Sequence, residues 1–265
     1  METGDIFARI SEAKFQRQES EMSDLVTGQH HTPGLHYRLL EPGTGPQPGD
    51  NMDKIICVGK NYPDHAAELG DAHPEKPVLF MKPPSVLQSA HAVDERLNLI
   101  LPSHSAQIHH ELELVFRIDR DGYKMTVEEA QRALGAVTVG LDMTLRDLQT
   151  DAKKKGTPWT TGKVFVDAAV IGPWLRLSDV PNYLDEPFTL AVNDKIVQKA
   201  TARQMSHSPA ECLAYASQFF PICAGDILFT GTPSGVGSVQ PGDKGVLLFG
   251  AVRYSVQWTH DIRKA

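Results

Sequence analysis

Residues 109–118 read HHELELVFRI, and this stretch decides how the fold is interpreted. Its leucine, valine, phenylalanine and isoleucine residues predict a strand, in which alternate side chains share one face. His110 and four apolar residues then face the core, and His109, Glu111 and Glu113 lie on the opposite face. Two carboxylates at this spacing repel each other where they are partly buried, and a bound cation removes that repulsion. A solvent-exposed strand face is the alternative interpretation.

A third carboxylate follows another predicted strand. In VTVGLDMTLRDLQ, residues 137–149, Asp142 comes directly after a β-branched run, a place where functional groups are common. Together with Glu111 and Glu113 it would form a site made of oxygen ligands, which suits Mg²⁺ or Mn²⁺ better than zinc. The alternative is that Asp142 caps a helix that begins within MTLRDLQ.

The segment NYPDHAAELG, residues 61–70, predicts a short helix that starts at Pro63 and stops at Gly70. His65 and Glu68 are three residues apart and are therefore neighbours on that helix. A carboxylate beside an imidazole orients the ring and makes it a better base, as the activation of water requires. Two turns of helix are marginally stable alone, so the segment could open and close as a lid. A pair on the protein surface is the alternative.

Two further segments carry groups that suit an anionic substrate. In GTPWTTGKVF, residues 156–165, Lys163 opens an apolar run, and a buried lysine there could hold a substrate carboxylate or an enolate oxygen. The loop FTGTPSGVG, residues 229–237, lacks the ending of a phosphate-binding P-loop, but its N–H groups and hydroxyls could cradle a carboxylate. A solvent-exposed lysine and an ordinary tight turn are the alternatives.

The composition indicates a globular protein and excludes several functional classes. Apolar residues make up 41% of the 265 residues, which is enough for a core. A net charge of −7 without a basic block argues against a nucleic-acid partner. Cys57, Cys212 and Cys223 show no CxxC spacing, which argues against a disulfide framework or a structural zinc site and fits a reducing compartment.

Membrane and targeting signals are also lacking in the sequence. No apolar stretch reaches the roughly 18 residues of a membrane span, so no membrane partner is expected. The first twenty residues mix acids with bases and have no apolar middle, unlike a mitochondrial presequence or a secretory signal. We therefore expect a cytoplasmic location, with a mitochondrial one as the alternative.

The chain divides into two regions of different character. Residues 1–50 begin with a possible short helix and continue into a Gly- and Pro-rich stretch, which predicts an N-terminal extension and connector. Residues 51–265 contain many predicted strands and few helices, which predicts one β-rich α+β catalytic domain without regular βαβ alternation.

Six sequence blocks, in this order, resemble the fumarylacetoacetate hydrolase superfamily. They are VGKNYPDHAAELG (58–70), PVLFMKPP (77–84), IHHELELVF (108–116), GLDMTLRDLQ (140–149), KKKGTPWTTGK (153–163) and DILFTGTPSGVG (226–237). The resemblance covers most of the chain and is strongest to the small acylpyruvate and fumarylpyruvate hydrolases, a branch that includes oxaloacetate decarboxylase activity. It implies the mixed β-roll, barrel-like fold of the family's C-terminal domain, and a homodimer.

The resemblance also implies roles for ten residues. Glu111, Glu113 and Asp142 match the carboxylates that bind Mg²⁺ or Mn²⁺, and Lys163 matches the lysine that holds the substrate oxygens. His65 and its helical partner Glu68 match the pair that activates water. The residues that match substrate contacts or the lining of the pocket are Lys60, Arg146, Gln149 and Thr232.

The function implied by the resemblance is hydrolysis of a C–C bond in acylpyruvates. These small keto acids are 1,3-diketo acids such as acetylpyruvate or fumarylpyruvate, and the products are pyruvate and a carboxylic acid. Decarboxylation of oxaloacetate, or a keto–enol isomerisation (tautomerisation), is the alternative, because an enolate can form at the same metal site. A non-catalytic binding protein would be expected to have lost a metal ligand or Lys163, and all of these residues are present.

Overall fold

The computed structural model describes residues 52–68 and 74–260. The extension and connector predicted for residues 1–50 lie outside the described residues. The described residues form sixteen strands and five α-helices. This strand-rich architecture confirms the predicted α+β fold class.

The strands and helices are numbered in chain order. The strands are β1 (Ile55–Gly59), β2 (Val78–Lys82), β3 (Leu87–Ser89), β4 (Arg96–Leu101), β5 (Ile108–His110), β6 (Leu112–Ile118), β7 (Leu134–Asp142), β8 (Thr144–Leu145), β9 (Ala169–Ile171), β10 (Leu175–Arg176), β11 (Phe188–Val192), β12 (Lys195–Ala200), β13 (Ile227–Phe229), β14 (Gly237–Ser238), β15 (Lys244–Phe249) and β16 (Val252–His260). The α-helices are α1 (Pro63–Glu68), α2 (Val127–Ala133), α3 (Arg146–Lys155), α4 (Thr160–Lys163) and α5 (Pro209–Ser217).

Three sheets build the part of the fold that the structure describes. The largest has the strand order β2-β1-β13-β6-β7-β9-β3, with β10 also paired to β7; the second has the order β12-β11-β15-β16-β4, and the smallest β14-β5-β8. Both faces of the largest sheet are buried, because Leu112, Leu114 and Phe116 of β6 enter the main core and Val115 enters a second core together with Ile171. The ends of these strands therefore form a rigid base for side chains.

The pairing of β6 with β7 brings the predicted carboxylates together. The antiparallel register places Leu112 opposite Leu141, and the N–H of Asp142 donates to the carbonyl oxygen of Glu111 over 2.9 Å. Glu113 is two residues further along the chain and points to the same side as Glu111. A long-range strand pairing, and not local sequence, therefore joins the two acidic segments.

One local prediction is wrong, and one of the alternative interpretations is excluded. The single strand predicted over residues 109–118 is divided at Glu111, because the chain leaves the three-stranded sheet after β5 and enters the largest sheet at β6. Asp142 is the last residue of β7 and does not cap a helix, since α3 begins four residues later, at Arg146.

Local sequence also explains a tight turn in the second sheet. Strands β11 and β12 form a hairpin, and its turn residues Asn193 and Asp194 have positive φ angles of 47° and 62°, as a type I′ turn requires. None of the helices in residues 52–68 and 74–260 has both the length and the apolar character needed to cross a bilayer.

Strands β1 and β13 are parallel neighbours in the largest sheet. They place two other predicted segments, the short helix and the Gly- and Thr-rich loop, near the carboxylates. Cys57 of β1 is paired with Phe229 of β13, and Phe229 is paired with Val115 of β6. The chain continues from β1 into α1, and from β13 into the Gly- and Thr-rich loop. Both segments therefore start beside the strand that carries Glu113.

Candidate active site

Glu111, Glu113 and Asp142 form a buried cluster at the end of β7. One carboxylate oxygen of each residue lies within 4.8 Å of the others, and each residue is at most 5% exposed. Neither His109 nor His110 belongs to this cluster. Three negative charges at this depth need nearby positive charge. The arrangement therefore favours a cation site over the solvent-exposed strand face.

Three buried cationic side chains contact the cluster. Lys163 Nζ lies 2.7 Å from an oxygen of Glu111 and 2.7 Å from an oxygen of Asp142. Lys82 Nζ lies 2.5 Å from the other oxygen of Asp142, and the guanidinium of Arg146 contacts Glu111. Glu111 and Asp142 are thus held by positive charge from the protein itself.

These contacts shift the pKa values of the two glutamates in opposite directions. Burial by itself raises the pKa of Glu111, but the charges of Lys163 and Arg146 outweigh burial and lower it below the usual range. Burial raises the pKa of Glu113 well above its usual value, and the charges of Asp142 and Glu111 raise it further. Burial opposes the charge of Lys163, yet its two carboxylate partners keep its pKa above the usual value. Lys163 therefore stays protonated.

The loop after β13 binds the third carboxylate with its backbone. The N–H of Gly231 donates to Oε2 of Glu113 over 2.6 Å. Gly231 has a φ of 97°, and a Cβ there would lie only 2.8 Å from the Cβ of Asn61, so this position requires glycine. The next residue, Thr232, accepts a hydrogen bond from Gln198 Nε2 over 2.8 Å. The loop is therefore part of the site and not only a tight turn.

Helix α1 carries the predicted imidazole–carboxylate pair. Nδ1 of His65 lies 3.2 Å from Oε2 of Glu68, and Glu68 also accepts from the N–H of Gly235 at 3.3 Å. The His65 residue is 4% exposed, whereas the Glu68 side chain is 40% exposed. When Nδ1 donates to Glu68, Nε2 is the nitrogen that can accept a proton. The buried imidazole excludes a simple surface pair.

One pocket is lined by nine of the ten predicted residues. These are Lys60, His65, Glu111, Glu113, Asp142, Arg146, Gln149, Lys163 and Thr232. The tenth, Glu68, contacts His65 as described. The rings of Phe80 and Trp159 also line the pocket, with their centroids 6.0 Å apart. The sequence segments that were singled out separately thus meet at one place.

The chemistry of the carboxylate cluster fits a hard divalent cation. Its ligand atoms are all oxygens, and Mg²⁺ and Mn²⁺ prefer carboxylate oxygen to nitrogen or sulfur. Glu111 and Asp142 contact cationic side chains, whereas Glu113 accepts from the neutral backbone N–H of Gly231. A divalent ion would supply positive charge to Glu113, so Mg²⁺ or Mn²⁺ fits these three residues.

Comparison with known proteins assigns the chain to a family. The family model Fumarylacetoacetate (FAA) hydrolase C-terminal matches residues 54–254. The chain belongs to the fumarylacetoacetate hydrolase family. The predictions of the family, of its fold and of an enzyme are therefore confirmed.

Three similar proteins illustrate the activities named within the family. Oxaloacetate tautomerase YcgM of Escherichia coli (strain K12) is 37% identical over 202 residues, which cover 75% of this chain and 89% of the relative. The mitochondrial oxaloacetate decarboxylase of Dictyostelium discoideum is 35% identical over 191 residues, covering 71% and 85%. The crystal structure of fumarylpyruvate hydrolase from Pseudomonas aeruginosa, in complex with Mn²⁺ and pyruvate, has a TM-score of 0.74 and 33% identity and covers 88% of this chain and 100% of that chain.

Lys82 is a member of the site that sequence reasoning missed. It ends β2, and its ammonium also donates to the carbonyl oxygens of Met143 and Ala168, at 3.0 and 2.5 Å. The side chain is fully buried. The one local signal is a lysine that ends an apolar strand directly before a proline, in FMKP. That pattern is equally typical of a strand that reaches solvent.

Gln198 of β12 is the second residue that was missed. Its Oε1 accepts from the N–H of Leu112 at 2.9 Å and lies 2.9 Å from Nδ1 of His110. Its Nε2 donates to Thr232 Oγ1 and to the Pro233 carbonyl oxygen, at 2.8 and 2.9 Å. One buried amide thus joins the strand that carries the glutamates to the Gly- and Thr-rich loop. Nothing in KIVQKA indicates this role.

Proposed function

We propose that this family member is a divalent-metal-dependent hydrolase that cleaves acylpyruvates, such as fumarylpyruvate or acetylpyruvate, into pyruvate and a carboxylic acid. The observation that carries the proposal is the shared pocket: the buried His65 of the imidazole–carboxylate pair lines the same cavity as three acidic residues and the buried ammonium of Lys163. A base for water and positive charge for an enolate are the two requirements of this reaction.

Glu111, Glu113 and Asp142 are the proposed metal ligands. Bound Mg²⁺ or Mn²⁺ would supply positive charge that stabilises the enolate left by C–C cleavage. Lys163 adds a permanent positive charge beside the same carboxylates, at 2.7 Å from two of them. We assign to Lys163 the role of holding the substrate oxygens on which that charge develops.

His65 is the proposed general base. Its Nε2 removes a proton from a water molecule, and the oxygen of that water attacks the carbonyl carbon of the acyl group. The bond between this carbon and the methylene of the pyruvate portion then breaks, and the electron pair stays on that portion as an enolate. A proton returned to the methylene carbon gives pyruvate. Glu68 orients the imidazole through its contact with Nδ1.

Four polar residues are the proposed substrate contacts. Thr232 offers a hydroxyl, and Lys60 an ammonium, to the keto acid end. Arg146 donates to Gln149 Oε1 over 2.6 Å, so these two residues support each other at the pocket wall. Together they replace water around the substrate, which strengthens the electrostatic effects of the site.

A second candidate is an oxaloacetate tautomerase or decarboxylase. Two relatives carry these names and share 37% and 35% of the aligned residues with this chain. Both reactions need enolate stabilisation but no attack by water. The carboxylate cluster and Lys163 serve them as well as hydrolysis, whereas the pair on α1 is best explained by hydrolysis.

Product analysis separates the two candidates. Acetylpyruvate, fumarylpyruvate and oxaloacetate are each incubated with the full chain and Mg²⁺ or Mn²⁺, and the products are followed by NMR. Pyruvate together with acetate or fumarate supports the hydrolase. Turnover of oxaloacetate alone, with both acylpyruvates unchanged, would overturn it in favour of the second candidate.

The chain's organisation, assembly and location complete the proposal. We assign residues 1–50 to an extension and connector, residues 51–265 to the catalytic domain, and the active form to a homodimer. We place the protein in the cytoplasm, with the mitochondrion as the alternative because the Dictyostelium relative is named mitochondrial. Deletion of residues 1–50, followed by activity and sedimentation measurements, tests the first two points, and cell fractionation tests the third.

A further inference from the structure

A second cavity lies towards the other end of the strands that carry the metal ligands. Its volume is about 640 Å³, within the range that small-molecule sites occupy. Glu113 and Arg117 both belong to β6, but Glu113 lines the candidate active site and Arg117 lines the second cavity. The step of four residues between them spans roughly 13 Å of strand. The residues that line the second cavity are therefore distinct from those of the active site.

Four arginines from different parts of the chain line this cavity, which we call the arginine cavity. They are Arg117, Arg120, Arg132 and Arg176. The sheet register explains part of this arrangement, because Arg117 of β6 and Arg176 of β10 are both paired with Ala136 of β7. Their backbones are thus two strand spacings, or roughly 10 Å, apart. Helix α2 leads directly into β7 and brings Arg132 of its last turn to the same place.

The arginine cavity has an excess of positive charge. The carboxylate of Asp119 accepts from Nε and Nη2 of Arg117, at 2.7 and 3.1 Å. Arg120, Arg132 and Arg176 are exposed, and within residues 52–68 and 74–260 no acidic side chain forms an ion pair with them. Four arginines and one aspartate in the lining leave a net charge of +3. On a chain whose net charge is −7, this local field would attract an anion.

One wall of the arginine cavity is apolar. The buried side chains in its lining are Leu134, Leu177, Val180 and Tyr183. The hydroxyl of Tyr183 donates to Oε1 of Gln131 over 3.5 Å, and this contact leaves Nε2 of Gln131 as a donor for a ligand. An anion that also carries an apolar portion would therefore fit this cavity better than a bare inorganic ion.

We propose that the arginine cavity binds a small organic polyphosphate, such as a nucleoside diphosphate. A guanidinium group is planar and binds phosphate oxygens in pairs. Three arginines without an acidic partner among the described residues exceed what a single phosphate group, with a charge of about −2, would balance. The nucleoside portion would cover the apolar wall. The proposal concerns a site outside the active site and does not depend on the reaction proposed above.

Calorimetry with ADP tests the proposal on the full chain. Saturating Mg²⁺ and oxalate are present throughout, because they compete for the candidate active site. We expect wild type to bind ADP, and Arg132→Gln and Arg176→Gln each to raise the Kd about 10-fold to 100-fold through loss of a charge-assisted contact. Arg96→Gln removes an exposed arginine of β4 and should leave the Kd within about a factor of two, because distant exposed charges are screened by salt. No binding of ADP by wild type, or an equal loss in Arg96→Gln, overturns the proposal.

Three further probes identify the class of ligand. Pyrophosphate should bind more weakly than ADP, because it leaves the apolar wall uncovered, and citrate, a polyanion without phosphate, should bind more weakly still. Pyrophosphate that binds as tightly as ADP overturns the role of the apolar wall. Citrate, or a peptide of eight glutamates, that binds more tightly than ADP overturns the assignment to a polyphosphate, and the peptide would then indicate an acidic protein partner. Thermal unfolding of Arg132→Gln and Arg176→Gln is the control for folding.

Discussion

The carboxylate cluster and helix α1 contribute to one pocket but are built very differently. Glu113 and Asp142 lie on β6 and β7, whose side chains are buried on both faces of the largest sheet, Glu111 directly precedes β6, and the three residues are at most 5% exposed. Helix α1 has six residues, and its Glu68 side chain is 40% exposed. A helix of this length is not stable alone. The difference indicates that the charge-binding part of the site is rigid, whereas the proton-transfer part depends for its position on packing against the rest of the protein.

Removal of a cluster carboxylate gives the largest expected effect. Asp142→Ala should abolish Mn²⁺ binding by calorimetry and reduce kcat/KM at least about 1,000-fold, because the ion loses a carboxylate ligand and the enolate then loses the positive charge of the ion. Asp151→Ala, on the exposed side of α3, is the matched control. Retention of both Mn²⁺ affinity and activity by Asp142→Ala would refute the assignment of the metal ligands.

Removal of the imidazole should affect chemistry but not metal binding. His65→Ala is expected to lower hydrolysis of fumarylpyruvate about 100-fold to 10,000-fold, as loss of a general base does, with Mn²⁺ affinity unchanged. Any decarboxylation of oxaloacetate should fall much less, since it needs no attacking water. Equal loss of both activities would show that α1 acts by closing the pocket and not by activating water.

Replacement of Lys82 tests the rigidity of the carboxylate cluster through its effect on the free energy of unfolding. Replacement by methionine leaves a buried carboxylate of Asp142 without one of its two lysine partners, and breaking a buried pair in this way costs about 3–5 kcal/mol. Saturating Mn²⁺ should recover part of the loss, because the ion replaces the missing charge. Lys155→Met, which removes the exposed pair with Asp151, should change the free energy of unfolding by no more than about 1 kcal/mol. Equal losses in chemical denaturation would contradict the buried role of Lys82.

The smallest effect is a pH dependence of metal stabilisation. The folded-state pKa of Glu113 is raised, so the stability that this group contributes without metal is present at low pH and is lost as the pH rises. Metal ligation requires its ionised form, so the increase in Tm caused by Mn²⁺ should be larger at about pH 8 than at about pH 5. Glu113→Gln should remove most of that difference. A Tm increase that is independent of pH in the wild type would contradict the pKa assignment.

Much of the site could be predicted from the sequence because its residues lie in locally recognisable patterns. Alternation in ELEL places Glu111 and Glu113 on the same side of the chain, and the spacing of His65 and Glu68 places them on one side of a helix. Both relations hold in the structure. Asp142 and Lys163 were recognisable from their positions beside apolar runs, and family resemblance alone supplied Lys60, Gln149 and Arg146, whose local sequence carries no distinctive pattern.

The residues that were missed depend on contacts between distant segments. Lys82 contacts Asp142 although the strands that carry them, β2 and β7, are separated by β1, β13 and β6 in the order of the largest sheet, and no local pattern indicates that contact. Gln198 reaches Leu112 across 86 residues of chain. The break at Glu111 has the same origin, because it reflects a change from one sheet to another. Local periodicity predicts which side of a strand or helix a residue occupies, but not which distant residues that side contacts.

The central claim is that three carboxylates, two on the paired strands β6 and β7 and one directly before β6, bind one divalent ion. Anomalous diffraction at the manganese edge, from crystals grown with Mn²⁺ and oxalate, tests it most directly. We predict a single strong peak between the carboxylates of Glu111, Glu113 and Asp142, with oxalate beside it. A peak at other residues, or none in this cluster, would contradict the account.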